Sequence, residues 1–119
     1  MPSREFALRV QDMLTEIAVV EETTADLNYE GFEQDPQALR VVLYSLAVIG
    51  EAVTSSISDL EAAEPKMPWH KIRGMRNAVI HEYFRVDLEI VWQTTQSDLP
   101  ALKAILEKIM TRLSGKDLA

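Results

Sequence analysis

The sequence predicts an all-α protein, an up-and-down bundle of four to five helices. Apolar residues recur at three- and four-residue steps over most of its length, helix start and stop signals punctuate those stretches, and no segment shows the two-residue alternation of a strand. The Val19-Val20 and Val41-Val42 pairs, which could suggest β structure, sit inside helical periodicity. With 119 residues, 47% hydrophobic and 26% charged, the chain is long enough for one domain with a real core and too short for two. A single domain over residues 1–119 is expected, with a tail from about residue 114 outside the ordered bundle.

Phe6, Val10, Met13, Leu14 and Ile17 make one apolar stripe on a first helix from about Ser3 to Glu22. A polar stretch from Thr23 to Gln34, with Gly31 inside it, breaks the pattern. Asp35-Pro36 reads as an N-cap followed by proline at the first helical position. The second helix is long, with Leu39, Val42, Leu43, Leu46, Ile49, Val53 and Ile57 as its stripe. Pro65 and Pro68 mark the connection after it. A third helix is expected from near Trp69 to about His81 or Tyr83. Asp87 can cap a fourth containing Leu88, Val91 and Trp92. Asp98 with Pro100 marks a last start, for a helix with Leu102, Ile105, Leu106, Ile109 and Leu113 as its stripe.

No uninterrupted apolar run approaches the ~20 residues that span a bilayer, and Met1 to Glu5 lacks the apolar core of a secretory signal. A cytoplasmic protein with no membrane partner is the expectation. The absence of cysteine excludes disulfides, thiolate catalysis and thiolate metal sites. The net charge of −7 argues against nucleic acid at first sight. Its distribution reverses that reading. Between Lys66 and Val86 stand Lys66, Lys71, Arg73, Arg76 and Arg85, with Glu82 the sole acid, so this window carries +4 and the rest of the chain −11. A cationic strip on an acidic body can hold a phosphate without binding duplexes indiscriminately.

The same window carries the chemistry. At 100° per residue Asn77 and His81 share one ridge with Arg73 a turn earlier, Arg76 and Tyr83 lie on the adjacent ridge, and Ile72, Met75 and Val79 are left for the core. Such a set suits metal-free cleavage of an RNA phosphodiester. The 2′-hydroxyl must lose a proton, the leaving 5′-oxygen must gain one, and the phosphorane needs cationic donors. Histidine, with an ordinary pKa of about 6.5, can serve either proton role near neutrality. Arginine matches phosphate oxygens with a planar fork, and asparagine can orient phosphate or imidazole. One histidine per chain hardly serves as acid and base together, so a two-fold homodimer that joins two copies of the motif is expected. No cofactor or metal is expected: His70 and His81 stand roughly 16 Å apart along a continuous helix, and neither has a carboxylate at ligand spacing. His70 reads as a surface residue of the first turn. Trp69 and Trp92 read as core or interface, Gly50 as a place of close helix approach, and Glu51 as a structural partner for the basic strip.

The run Met67-Pro68-Trp69-His70-Lys71-Ile72-Arg73-Gly74-Met75-Arg76-Asn77, followed by His81-Glu82-Tyr83 and Val86-Asp87, closely resembles the HepT-like toxins of the HEPN superfamily. The resemblance extends to Ile49-Gly50-Glu51-Ala52, Ile90-Val91-Trp92 and Leu99-Pro100, and covers about Asp35 to Leu106. It implies an endoribonuclease toxin with Arg76 and His81 as the catalytic pair in a dimer cleft and Asn77 as a helper. It also implies a cognate antitoxin, a minimal nucleotidyltransferase, that modifies Tyr83 with AMP. The rival readings are a non-catalytic module that binds nucleotide or docks beside a nucleotidyltransferase, and a dimeric interaction protein whose acidic body meets a basic partner.

Overall fold

Among the described residues every long stretch of apolar periodicity becomes a helix, and the way the helices are stopped sets the shape of the bundle. The computed structural model describes residues 4–74 and 87–118. Helix α1 runs Arg4–Thr24, α2 Tyr29–Glu33, α3 Pro36–Ser55 and α4 Ile57–Ala63. Residues 69–74 are helical and are called α5. After Asp87 come α6, Leu88–Gln93, a π turn, Thr94–Asp98, and α7, Leu99–Leu118. There is no strand among the described residues, and the all-α bundle expected from periodicity is the fold.

On α1 the buried side chains are Phe6, Val10, Met13, Ile17, Val20 and Thr24, a stripe about 80° wide at 100° per residue. That stripe packs along both α3 and α7. Glu16 and Glu21 flank it on opposite sides. The buried hydroxyl of Ser45 on α3 donates to Glu16 Oε1 at 2.9 Å, and Lys103 Nζ on α7 pairs with Glu21 at 3.1 Å. One helix is thus fastened to two neighbours through its two polar borders. The Thr24 hydroxyl, buried at the end of the stripe, donates to the Val20 carbonyl.

Helix α3 starts as expected, with Asp35 Oδ1 accepting from the Ala38 N–H at 3.0 Å and Pro36 in the first turn. Its buried residues, among them Val42, Leu43, Leu46, Ile49, Gly50 and Val53, cover about half its circumference. It is also the one helix among the described residues long and apolar enough to cross a membrane, with a mean hydropathy of 1.5. Half of that stretch is buried in the bundle. The helix does not continue through Ile57, as the stripe suggested. It stops at Ser56, whose N–H is shared between the Ala52 and Val53 carbonyls, and α4 begins afresh. The cause is local: Thr54 and Ser55 turn their hydroxyls back onto the Gly50 and Glu51 carbonyls, which weakens the last turn.

The polar stretch between α1 and α3 contains a helix that periodicity missed. Asn28 Oδ1 caps α2 by accepting from the Gly31 N–H at 2.8 Å. A Cβ at Gly31 would lie 3.2 Å from that same oxygen, so the tight cap favours glycine. The helix exists to seat Phe32, fully buried, whose ring meets Trp92 of α6 at 5.2 Å and 37°.

Asp87 caps α6 as expected, its Oδ1 accepting from the Glu89 and Ile90 N–H groups. The last helix, however, does not restart at Asp98. The chain stays helical from Leu88 to Leu118 and widens for one turn, with the Leu99 N–H donating to Thr94 O five residues back. Pro100 explains the widening. Proline has no N–H for the carbonyl four residues earlier and its ring presses on that carbonyl, so a π turn relieves both faults without breaking the helix. Thr94 and Thr95 hydroxyls donate to the Ile90 and Trp92 carbonyls there.

Helix α7 also ties down the end of α4. Arg112 donates to the Ala63 carbonyl and to Glu64 Oε1, at 3.0 and 2.9 Å, and Lys108 Nζ stands 3.2 Å from the same oxygen. These two cations, Arg112 foremost, hold the Glu64 carboxyl below its ordinary pKa. A carboxylate so lowered stabilises the fold above the ordinary glutamate value of about 4.3, and the contribution is lost as pH falls through the folded value. Urea titrations at pH 7 and pH 3 should therefore show Glu64→Gln destabilised relative to the parent at pH 7 and close to it at pH 3.

Ser56 yields a second expectation. Its hydroxyl is buried without a hydrogen bond and makes no capping bond to α4. Removing an unsatisfied buried polar group relieves a cost of about 1–3 kcal/mol. Ser56→Ala should leave the helical circular-dichroism spectrum unchanged and raise the thermal midpoint; a lowered midpoint would show that the hydroxyl has a stabilising partner.

Candidate functional site

The basic window begins where α4 ends. After Ala63 the chain passes Glu64, Pro65, Lys66, Met67 and Pro68 and enters α5 at Trp69. Two prolines alone would not fix that passage; hydrogen bonds do. The Met67 N–H donates to Glu64 O at 3.3 Å, and the Trp69 N–H to Met67 O at 2.8 Å. The Pro68 carbonyl accepts from both the Lys71 and Ile72 N–H groups, which starts the helix. Trp69 is the anchor. Its ring is 2% exposed, and its indole N–H donates to the Glu64 carbonyl at 2.9 Å, so a large apolar body is buried with its one polar atom satisfied.

With Trp69 and Ile72 buried, the other residues of this turn face outward. His70, Lys71 and Arg73 are exposed on α5, and Lys66 is exposed in the connection before it. The expected division of this helix, Ile72 to the core and Arg73 to the polar side, is what the structure has. His70 is a surface residue of the first turn, as read from the sequence, and Trp69 is core. Trp92 packs on the core beside Phe32.

The other proposed site residues divide as follows. Arg76, Asn77, His81 and Tyr83 lie outside the described residues, as do Met75, Val79 and the expected end of the third helix. The segment that holds them leaves the described structure at Gly74 and re-enters it at Asp87, where the cap on α6 fixes the chain again. Glu51, the expected structural partner, is exposed on α3 one residue after the buried Gly50. Among the described residues no three His, Asp or Glu side chains converge as a metal-holding group.

Sequence reading missed the role of Glu64. It is the acid nearest to Lys66 along the chain, and left alone it would neutralise the strip's leading edge. Lys108 and Arg112 of α7 already hold it. It also missed an acidic grouping in which Tyr29 lies among Glu33, Glu89, Asp87 and Glu30. Desolvation first, then these carboxylates, raise the phenol's pKa. Neither grouping has a local sequence signal, because each joins residues from separate helices.

A model of the family described as ribonuclease HepT-like matches residues 13–109. A chain from Thermococcus cleftensis named "Probable ribonuclease HepT" is 34% identical over 100 residues, covering 84% of this chain and 91% of that one. Two chains from Methanocaldococcus jannaschii, named "Putative RNase MJ1216" and "Putative RNase MJ0125", are each 34% identical over 98% of this chain and 97% and 100% of their own lengths. No solved structure matches. The family match spans α1 to α7 and takes in the anchored basic turn. The chain belongs to the ribonuclease HepT-like family.

Proposed function

We propose that this chain is a metal-independent endoribonuclease toxin that cleaves cellular RNA in the cytoplasm through Arg76 and His81, paired across a homodimer cleft. The observation that carries the reading is the ribonuclease HepT-like family match over residues 13–109, with Arg76-x4-His81-x-Tyr83 inside it. The reaction needs no group that the chain lacks. One imidazole takes the proton of the ribose 2′-hydroxyl and the 2′-oxygen attacks phosphorus. The bond to the 5′-oxygen breaks, and the imidazole of the second copy protonates that oxygen. Arg76, assisted by Arg73 and Asn77, holds the phosphoryl oxygens as charge builds on them. The products are a 2′,3′-cyclic phosphate and a 5′-hydroxyl.

The antitoxin in this reading is a minimal nucleotidyltransferase. The Tyr83 hydroxyl attacks the α-phosphorus of ATP, pyrophosphate leaves, and Tyr83 carries AMP. An adenylate so near the catalytic pair adds bulk and negative charge and competes with substrate for Arg76.

Arg76→Ala and His81→Ala should each lower cleavage of single-stranded RNA by about 10²–10⁴-fold and relieve growth inhibition, with RNA ends mapped to check the cyclic phosphate. Cleavage that survives both changes would place the catalytic groups elsewhere, and no cleavage by the unaltered chain would leave a helical nucleotide-binding module as the better description. Co-expression with a cognate minimal nucleotidyltransferase should add whole AMP units to the intact mass, and Tyr83→Phe should abolish the addition. Addition that persists in Tyr83→Phe places the switch elsewhere.

A further inference from the structure

Four basic side chains in one short segment stand without a carboxylate on a protein rich in carboxylates. Lys66, His70, Lys71 and Arg73 are all exposed, and none is paired with a described acid. Elsewhere Arg9 is paired with Glu5, Lys103 with Glu21, and Lys108 and Arg112 with Glu64, while Arg4 and Arg40 are also unpaired among the described residues but stand far apart along the chain. The last pairing matters most, because the nearest competing anion is held by α7 instead of by the strip. The backbone under these side chains is fixed, with Trp69 and Ile72 in the core and both Lys71 and Ile72 N–H groups on the Pro68 carbonyl. A ligand therefore meets a preformed surface and need not order a loop.

We infer that Lys66, His70 and Lys71, leading up to Arg73, form a track for the phosphates of single-stranded RNA flanking the scissile bond. This rests on the endoribonuclease reading, which places the scissile phosphate at Arg76 and His81, three residues beyond Arg73 at the nearest. Along a helix the rise from His70 to Arg73 is about 4.5 Å, and Lys66 extends the strip back into the connection. The track suits one strand. Outside the +4 window the chain carries −11, so a second strand, with its doubled phosphate density, would lie against an acidic body. The track fixes which stretch of RNA is held, while Arg76 and His81 act on the bond.

The test uses the full chain with His81→Ala to suppress cleavage, and a fluorescently labelled single-stranded RNA whose binding is read by anisotropy at several salt concentrations. Adding Lys66→Ala, His70→Ala and Lys71→Ala should weaken binding roughly tenfold or more. It should also flatten the slope of log affinity against log salt by roughly 0.7 for each lysine removed from a phosphate. Lys103→Ala removes one charge from the α1–α7 side and should leave affinity nearly unchanged. The helical spectrum should be the same in all variants, since the altered side chains are exposed. Equal affinity and slope with and without the strip, an equal loss from Lys103→Ala, or no RNA binding by the His81→Ala parent would each overturn the inference. Unchanged RNA affinity with lost neutralisation by the antitoxin would give the strip to a protein partner and overturn it too. Cleavage by the chain with native His81 separates the two readings. If it cleaves while the strip changes alter neither binding nor KM, the track alone fails. If it does not cleave but binds RNA through the strip, the nuclease reading fails and the track stands.

Discussion

One narrow stripe on α1 has two partners to satisfy at once, and the bundle is organised around that demand. About 80° of apolar surface lies between α3 and α7, and the polar borders of the stripe fasten one to each side through Glu16–Ser45 and Glu21–Lys103. Ser45 is buried, so its bond to Glu16 meets a polar requirement inside the interface, whereas Glu21–Lys103 is exposed and contributes orientation more than energy. Once α1 sets the positions of α3 and α7, the end of α4 comes within reach of Lys108 and Arg112, and the start of α5 follows from the end of α4.

That succession connects packing to chemistry. The basic turn is exposed because its two apolar residues are buried, and it stays cationic because the carboxylate at its root belongs to another helix. Trp69 serves both ends: its ring joins the core and its N–H holds the carbonyl of Glu64. On the far side of residues 75–86, Asp87 and the Phe32–Trp92 contact fix the re-entry of the chain. The segment that bears the proposed site residues thus leaves and rejoins the structure at fixed points, a sound arrangement for chemistry that depends on position.

What could be read from the sequence was what local signals carry. The stripes of α1, α3 and α7, the Asp35-Pro36 start and the Asp87 cap all rest on neighbours within a few residues, and all are in the structure. Helix α2 was lost because five residues are too few to show a period; its cap at Asn28 was the only available sign. The break at Ser56 was hidden by apolar residues that keep helical spacing across it. In the site, the outward Arg73 and inward Ile72 followed from angle alone. The neutralisation of Glu64 did not, since Arg112 stands 48 residues away in the sequence. Arg76, Asn77, His81 and Tyr83 rest on motif and family.

The widened turn at Thr94–Asp98 changes how length should be counted in this family. A π turn is an α-helix that has absorbed one extra residue, so the helix on either side keeps its inward faces while the numbering between them slips by one. Val91 before the turn and Leu99, Leu102 and Leu106 after it all reach the core despite that slip. A relative with one residue fewer in this stretch need not have lost a loop or shifted a helix; it can run as plain α-helix with the same side chains inside. The gap in such an alignment belongs within the helix, at Thr94–Asp98 just before Pro100, because one residue more or fewer in an α-helix turns every later residue by about 100°.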